Sequence, residues 1–153
     1  MRYLIDAKSY GLFYKKCLAV IEAFSDANWN NLSGDSLSTT SYIFNLGNGA
    51  VCWKSKKQTI IANSTIEAKL IAFASASEEA NWLKDLLHEI PLWEKRIPSI
   101  LIHCDSIVII GKVKNHYYNC KSRPIRRKHS TMQSYLSSCI IVVNYVKSNG
   151  SIY

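Results

Sequence analysis

The stretch Val20-Ile21-Glu22-Ala23-Phe24-Ser25-Asp26-Ala27-Asn28-Trp29 decides the fold. It runs apolar and extended into a lone carboxylate and then a turn, the pattern of a central strand that exposes Asp26 near its end. Two other acids can meet Asp26 there: Glu67, at the start of a long amphipathic pattern, and Asp105, at the end of another apolar run. Two carboxylates about 4 Å apart at an effective dielectric near 20 repel by roughly 4 kcal/mol, so such a cluster persists usefully only around a cation. Oxygen donors suit Mg²⁺ or Mn²⁺ rather than zinc, and a pair of such ions can activate a water and stabilise the departing oxygen in phosphodiester cleavage. Each acid also has a purely structural reading. Asp26 and Asp105 can cap turns or helix starts, and Glu67 can be the third residue of a capping box.

Outward from this strand the chain alternates turn signals with periodic runs. Residues 1–18 mix Tyr3, Leu4, Ile5, Tyr10, Leu12, Phe13 and Tyr14 with lysines around Gly11, which suggests a lead-in and an edge segment. A polar loop from Asn30 to Thr39 follows the strand and contains Ser33-Gly34-Asp35. Tyr42 to Leu46, Gly47-Asn48-Gly49 and Ala50 to Trp53 read as a β-hairpin, which makes strands one to three an antiparallel meander. Lys54-Ser55-Lys56-Lys57-Gln58 reads as a basic turn. Ser64 with Glu67 fits a capping box, and Ile66, Leu70, Phe73, Ser77, Ala80, Leu83 and Leu87 keep helical spacing until Pro91. Glu67 lies one position off that stripe and so can face the sheet edge.

After Pro98, residues Ser99 to Cys104 form a short buried strand ending at Asp105, and Ser106 to Val113 form a helix. This βα step implies parallel pairing. Residues 114–122 read as a polar loop, Arg126 to Leu136 as a basic helix limited at its start by Pro124, and Ile140 to Val146 as a last strand. The order βββ-α-β-α-α-β implies an α/β mixed sheet flanked by helices.

The 153 residues, 48% hydrophobic and 20% charged, suffice for one ordinary globular domain. No apolar run approaches the roughly 20 residues of a membrane span, and Met1 to Lys16 lack a signal-peptide core, so an intracellular protein, cytoplasmic or nuclear, is expected. Cys17, Cys52, Cys104, Cys120 and Cys139 are odd in number and form no CxxC pair, which predicts reduced thiols, mostly in the core. Residues 1–105 hold 11 basic and 11 acidic residues, and no acid follows Asp105. The net charge of +8 therefore lies entirely at the C-terminal end, in Lys112, Lys114, Lys121, Arg123, Arg126, Arg127, Lys128 and Lys147. That asymmetry suits a polyanion such as nucleic acid, and equally a solvated basic face.

Five motifs in order carry a specific resemblance: Phe24-Ser25-Asp26-Ala27-Asn28-Trp29; Gly49-Ala50-Val51-Cys52-Trp53-Lys54-Ser55-Lys56-Lys57-Gln58; Ala62-Asn63-Ser64-Thr65-Ile66-Glu67-Ala68; Ile102-His103-Cys104-Asp105-Ser106; and Lys121-Ser122-Arg123-Pro124-Ile125-Arg126-Arg127-Lys128-His129. Together with Tyr145-Val146-Lys147-Ser148 they resemble the ribonuclease H domain of copia-type retrotransposon Pol polyproteins. Arg2-Tyr3-Leu4 and Tyr10-Gly11-Leu12 are similar to the connection that follows the reverse transcriptase.

The resemblance implies a lead-in over residues 1–18 and a ribonuclease H-like domain over 19–153, with a five-stranded mixed sheet of three antiparallel strands and parallel additions. It implies an endonuclease of reverse transcription that hydrolyses the RNA strand of an RNA–DNA hybrid with Mg²⁺, Mn²⁺ being able to substitute. By motif match Asp26, Glu67 and Asp105 would be the catalytic metal-binding carboxylates. Arg123, Arg126, Arg127, Lys128 and His129 would lie at the nucleic acid, with Lys54, Lys56 and Lys57 as weaker candidates. His129 reads better as a polar residue near a helix start than as a catalytic group. Trp29 and Trp53 could stack on bases, although a buried place in a small core is the expectation.

The departures are equally specific. Lys69 stands where the family prefers a second Glu, Ser41 where it prefers Gly, and Pro124 where it prefers His or Lys. The sequence stops at Asn149-Gly150-Ser151-Ile152-Tyr153, before the fourth carboxylate and last helix that the resemblance implies. A decayed copy is therefore expected. The readings that follow are a metal-dependent ribonuclease, a catalytically dead nucleic-acid-binding remnant, and a non-functional remnant. An integrase-like transposase shares the fold, but the order Asp, Glu, Asp with the second acid on a helix favours the ribonuclease.

Overall fold

A computed structural model describes residues 11, 20–29, 37–90, 97–117 and 122–147. The lead-in over 1–10 and 12–18, Ser33-Gly34-Asp35, Pro91, Cys17, Cys120, Lys121 and the last six residues lie outside this set. The elements are β1 (Ile21–Asn28), β2 (Thr39–Leu46), β3 (Gly49–Lys57), α1 (Thr65–Glu89), β4 (Ile100–Cys104), α2 (Ile107–Lys114), α3 (Arg123–Ser137) and β5 (Ile141–Tyr145). This is the expected order, and the five strands form one sheet arranged β3-β2-β1-β4-β5. β1 is central, antiparallel to β2 and parallel to β4, while β4 and β5 are also parallel.

The hairpin between β2 and β3 turns on Gly47 and Asn48, with φ of 57° and 67°. Two consecutive left-handed residues match the right-handed twist of the flanking strands, and glycine and asparagine tolerate that conformation best. β3 is longer than the sequence suggests. Lys54 to Lys57 continue the strand, because β2 itself begins at Thr39 and offers Thr39, Thr40, Ser41 and Tyr42 as partners. Lysines are common on such an outer strand, where their charge discourages pairing with another chain.

α1 keeps the expected face: Leu70, Phe73, Ser77, Ala80 and Leu83 are buried. It packs across β1, β2 and β4 and alongside α3. The inward residues of β1, Ile21, Ala23, Ser25 and Ala27, alternate with the more open Glu22, Phe24, Asp26 and Asn28. α3 begins at Arg123, earlier than expected. Pro124 sits in its first turn, where a missing N–H costs nothing and a fixed φ suits the helix. Ile125, His129 and Met132 form its buried stripe.

Two expectations fail on burial. Trp29 and Trp53 are both exposed rather than core residues, and of the described cysteines only Cys104 is buried, with Cys52 half-buried and Cys139 exposed. Among the described residues no helix is long and apolar enough to cross a membrane.

Candidate functional site

The parallel pairing of β1 with β4 sets the site. Phe24 lies opposite His103, so Asp26 and Asp105, each two residues further on, leave the same end of adjacent strands. The structural alternatives for the aspartates narrow accordingly. Asp26 does serve its own turn, its Oδ1 accepting from the Ala27 N–H at 2.8 Å. Asp105 does not cap α2; Ser106 does, accepting from the Ile109 N–H at 3.4 Å. Oδ1 of Asp105 is buried and has no hydrogen-bond partner.

Several contacts bring the start of α1 to this end of the sheet. The Trp29 indole Nε1 donates to the Ala62 carbonyl at 3.2 Å. Gln58, buried at the end of β3, donates through Nε2 to the Thr40 hydroxyl and to the Ala68 carbonyl, each at 2.9 Å. The N-cap is Ser64, whose Oγ accepts from the Glu67 N–H at 3.2 Å. The reciprocal half of the capping box is displaced by one residue: Oε2 of Glu67 accepts from the Asn63 N–H at 2.9 Å and from Asn63 Nδ2 at 3.2 Å.

Lys69 is the residue that closes the edge. Its ammonium donates to Oδ2 of Asp105 and lies 3.8 Å from Oδ1 of Asp26. On the helix it shares a face with Ala72, Phe73 and Ala76, all buried, and its ammonium reaches both aspartates. The Lys69 and Asp105 side chains are 20% and 29% exposed, against 64% for Asp26. Removing one partner of so shielded a pair should cost about 1–3 kcal/mol, between the values for surface and buried ion pairs.

The donor chemistry of Asp26, Glu67 and Asp105 matches Mg²⁺ or Mn²⁺, but their arrangement does not fit such an ion. A cation already bridges the two aspartates, Glu67 bonds Asn63, and no group of three potential ligands is assembled among the described residues.

The expected basic residues divide by exposure. Arg123, Arg126 and Arg127 are exposed on α3, Arg123 and Arg127 opposite its buried stripe and Arg126 on its flank. Lys128 is half-buried and pairs with Glu78 at 3.2 Å. His129, expected at the nucleic acid, is instead only 4% exposed, with Nε2 2.9 Å from the Lys112 carbonyl; its place on the stripe with Ile125 and Met132 turns it inward. Beneath the aspartates, burial pushes the Cys104 thiol up and the His103 imidazole down, and His103 stacks on Phe24 at 4.7 Å. The positioning role of Gln58 carries no signal in the sequence, where Lys69 stands out only as a departure from the family pattern. A lysine at a core-facing helical phase is the available signal, because its ammonium must find an acid.

Comparison with known proteins bears on the fold. LC11-RNase H1, isolated from compost by a metagenomic approach, superposes with a TM-score of 0.61, covering 86% of this chain and 87% of that one at 13% identity. The fold is thus that of ribonuclease H. The chain is 29% identical over 150 residues, 97% of its length, to the retrovirus-related Pol polyprotein from transposon RE1 of Arabidopsis thaliana. It is 31% identical over 125 residues, 82% of its length, to that from transposon TNT 1-94 of Nicotiana tabacum. It is a ribonuclease H-type domain related to copia-type retrotransposon Pol polyproteins. It spans only about a tenth of those relatives, 10% and 9% of their lengths. No family model matches the chain.

Proposed function

We propose that this domain binds nucleic acid, with the RNA–DNA hybrid as its preferred duplex, and does not cleave it. The observation that carries the reading is the composition of α3. Arg123, Arg126 and Arg127 are exposed away from its buried stripe, in a segment of the chain without acids. Guanidinium groups so placed contact phosphates through charge-assisted hydrogen bonds, which gives affinity that falls with salt. Support for the hybrid as ligand comes from LC11-RNase H1, whose fold this chain shares and which has been solved in complex with an RNA/DNA hybrid. The relationship to Pol polyproteins supports a parent chain that also held a reverse transcriptase domain. Hydrolysis of the RNA strand through Asp26, Glu67 and Asp105 with Mg²⁺ or Mn²⁺ is the activity the resemblance implies. The bridge from Lys69 to both aspartates favours binding without it.

The test is titration of a labelled RNA–DNA hybrid, duplex RNA and duplex DNA at several salt concentrations, beside cleavage assays with Mg²⁺ and Mn²⁺ and an Asp105→Asn control. Arg126→Ala with Arg127→Ala is expected to weaken hybrid binding at least about tenfold and to reduce the salt slope by about 2. Binding that is insensitive to salt or unchanged in this double variant would refute the binding reading. Metal-dependent cutting that disappears in Asp105→Asn would restore the ribonuclease.

A further inference from the structure

We infer that Lys69 is a built-in counter-ion for Asp26 and Asp105 and keeps divalent cations off this edge. This role follows from the site geometry alone and holds whether or not α3 binds nucleic acid. At the C-terminal ends of two parallel strands, two aspartates leave side by side, and their like charges call for a cationic partner. The chain supplies one positive charge from α1, at Lys69, whose side chain is only 20% exposed. Its ammonium then contacts one oxygen of each aspartate. Lysine presents three donors around a compact charge, which lets it span two carboxylates.

A divalent ion sharing those oxygens would meet the ammonium at close range. A +1 and a +2 charge about 4 Å apart, even at the dielectric of water, weaken binding by roughly thirtyfold. Partial shielding of Lys69 and Asp105 makes the real penalty larger. The ammonium also competes for the oxygens themselves, and Glu67 bonds Asn63 on the preceding turn. The edge is thus closed in charge as well as in coordination.

The experiment is Mn²⁺ binding to the full chain, read by electron paramagnetic resonance of free Mn²⁺ and by the shift of the thermal midpoint on adding the ion. Unmodified protein is expected to show no saturable site at this edge and no stabilisation by Mn²⁺. Lys69→Gln keeps the stem and removes the charge. It is expected to melt lower without metal, to gain a saturable Mn²⁺ site at least about thirtyfold tighter than any residual binding of unmodified protein, and to regain stability as the ion binds. Lys69→Glu should bind more tightly still, and adding Asp105→Asn to Lys69→Gln should abolish the gain. The inference is overturned if unmodified protein and Lys69→Gln bind Mn²⁺ equally, or if folded Lys69→Gln binds none. Should both Lys69 variants fail to fold, paramagnetic broadening in unmodified protein decides the matter. Amide signals of Asp26 and Asp105 that broaden selectively with Mn²⁺ would overturn the inference, and signals that persist would uphold it.

Discussion

Removing the Gln58 amide should loosen the junction between the sheet and the start of α1, by an amount that can be worked out bond by bond. Gln58 is 4% exposed, and its side chain makes the two hydrogen bonds to Thr40 and Ala68 while its own N–H bonds the Ser38 carbonyl at 2.7 Å. Gln58→Ala keeps the backbone bond and loses the other two, at about 1 kcal/mol net each. One buried methylene goes with them, at about 0.8 kcal/mol. Against this, Oε1 of Gln58 is buried without a partner, and its removal returns about 1 kcal/mol. The balance is a loss of about 2 kcal/mol, or about 4–8 °C in thermal midpoint for a chain of this size. Gln58→Met keeps the stem and should lose only about 1 kcal/mol. Urea unfolding followed by circular dichroism measures both, with the midpoint expected to move and the slope to stay constant. A loss below about 0.5 kcal/mol in Gln58→Ala would refute the reasoning, since it would mean that neither bond contributes.

The remaining predictions concern groups on either side of this junction. The Tyr42 hydroxyl donates to Oε2 of Glu79 at 2.6 Å and the Cys52 thiol lies 3.4 Å from Oε1, an arrangement in which burial and the glutamate hold the phenol well above its ordinary pKa and push the thiol up to about 11. A double-mutant cycle of Tyr42→Phe and Glu79→Gln should therefore show a coupling of about 1–2 kcal/mol, and additive losses would contradict it. Burial lowers the His103 pKa below 6.5, and its Nδ1 is buried without a partner. Above pH 6.5 both folded and unfolded chains hold it neutral; as pH falls through 6.5 the unfolded chain binds the proton first, so stability falls. His103→Phe keeps the stack on Phe24 and should flatten the decline in thermal midpoint between pH 7.5 and 5.5, whereas parallel profiles would exclude His103 as its source.

How far the sequence reveals this molecule depends on whether a feature is periodic or relational. The central strand, the hairpin at Gly47-Asn48 and the stripe of α1 repeat with the period of their own elements, so each is legible from a few neighbouring residues. Lys54 to Lys57 misread as a turn because a strand of lysines is stabilised by its neighbour, here Thr39 to Tyr42 of β2, and not by its own pattern. Trp29 and Trp53 misread as core for a similar cause, since their exposure depends on what covers the sheet. The site divides along the same line. Motif spacing brings Asp26 and Asp105 to one edge, because parallel strands share an end and the acids follow at equal distance from a paired register. What that edge can bind is set by one helical phase on another element. The position of Lys69, a turn before Phe73, carries its stem inward; a glutamate there would add a third acid to the pair, and the lysine neutralises one of the two. The sign of the charge at that one position therefore separates two chemistries on an unchanged fold, one that gathers metal and one that excludes it.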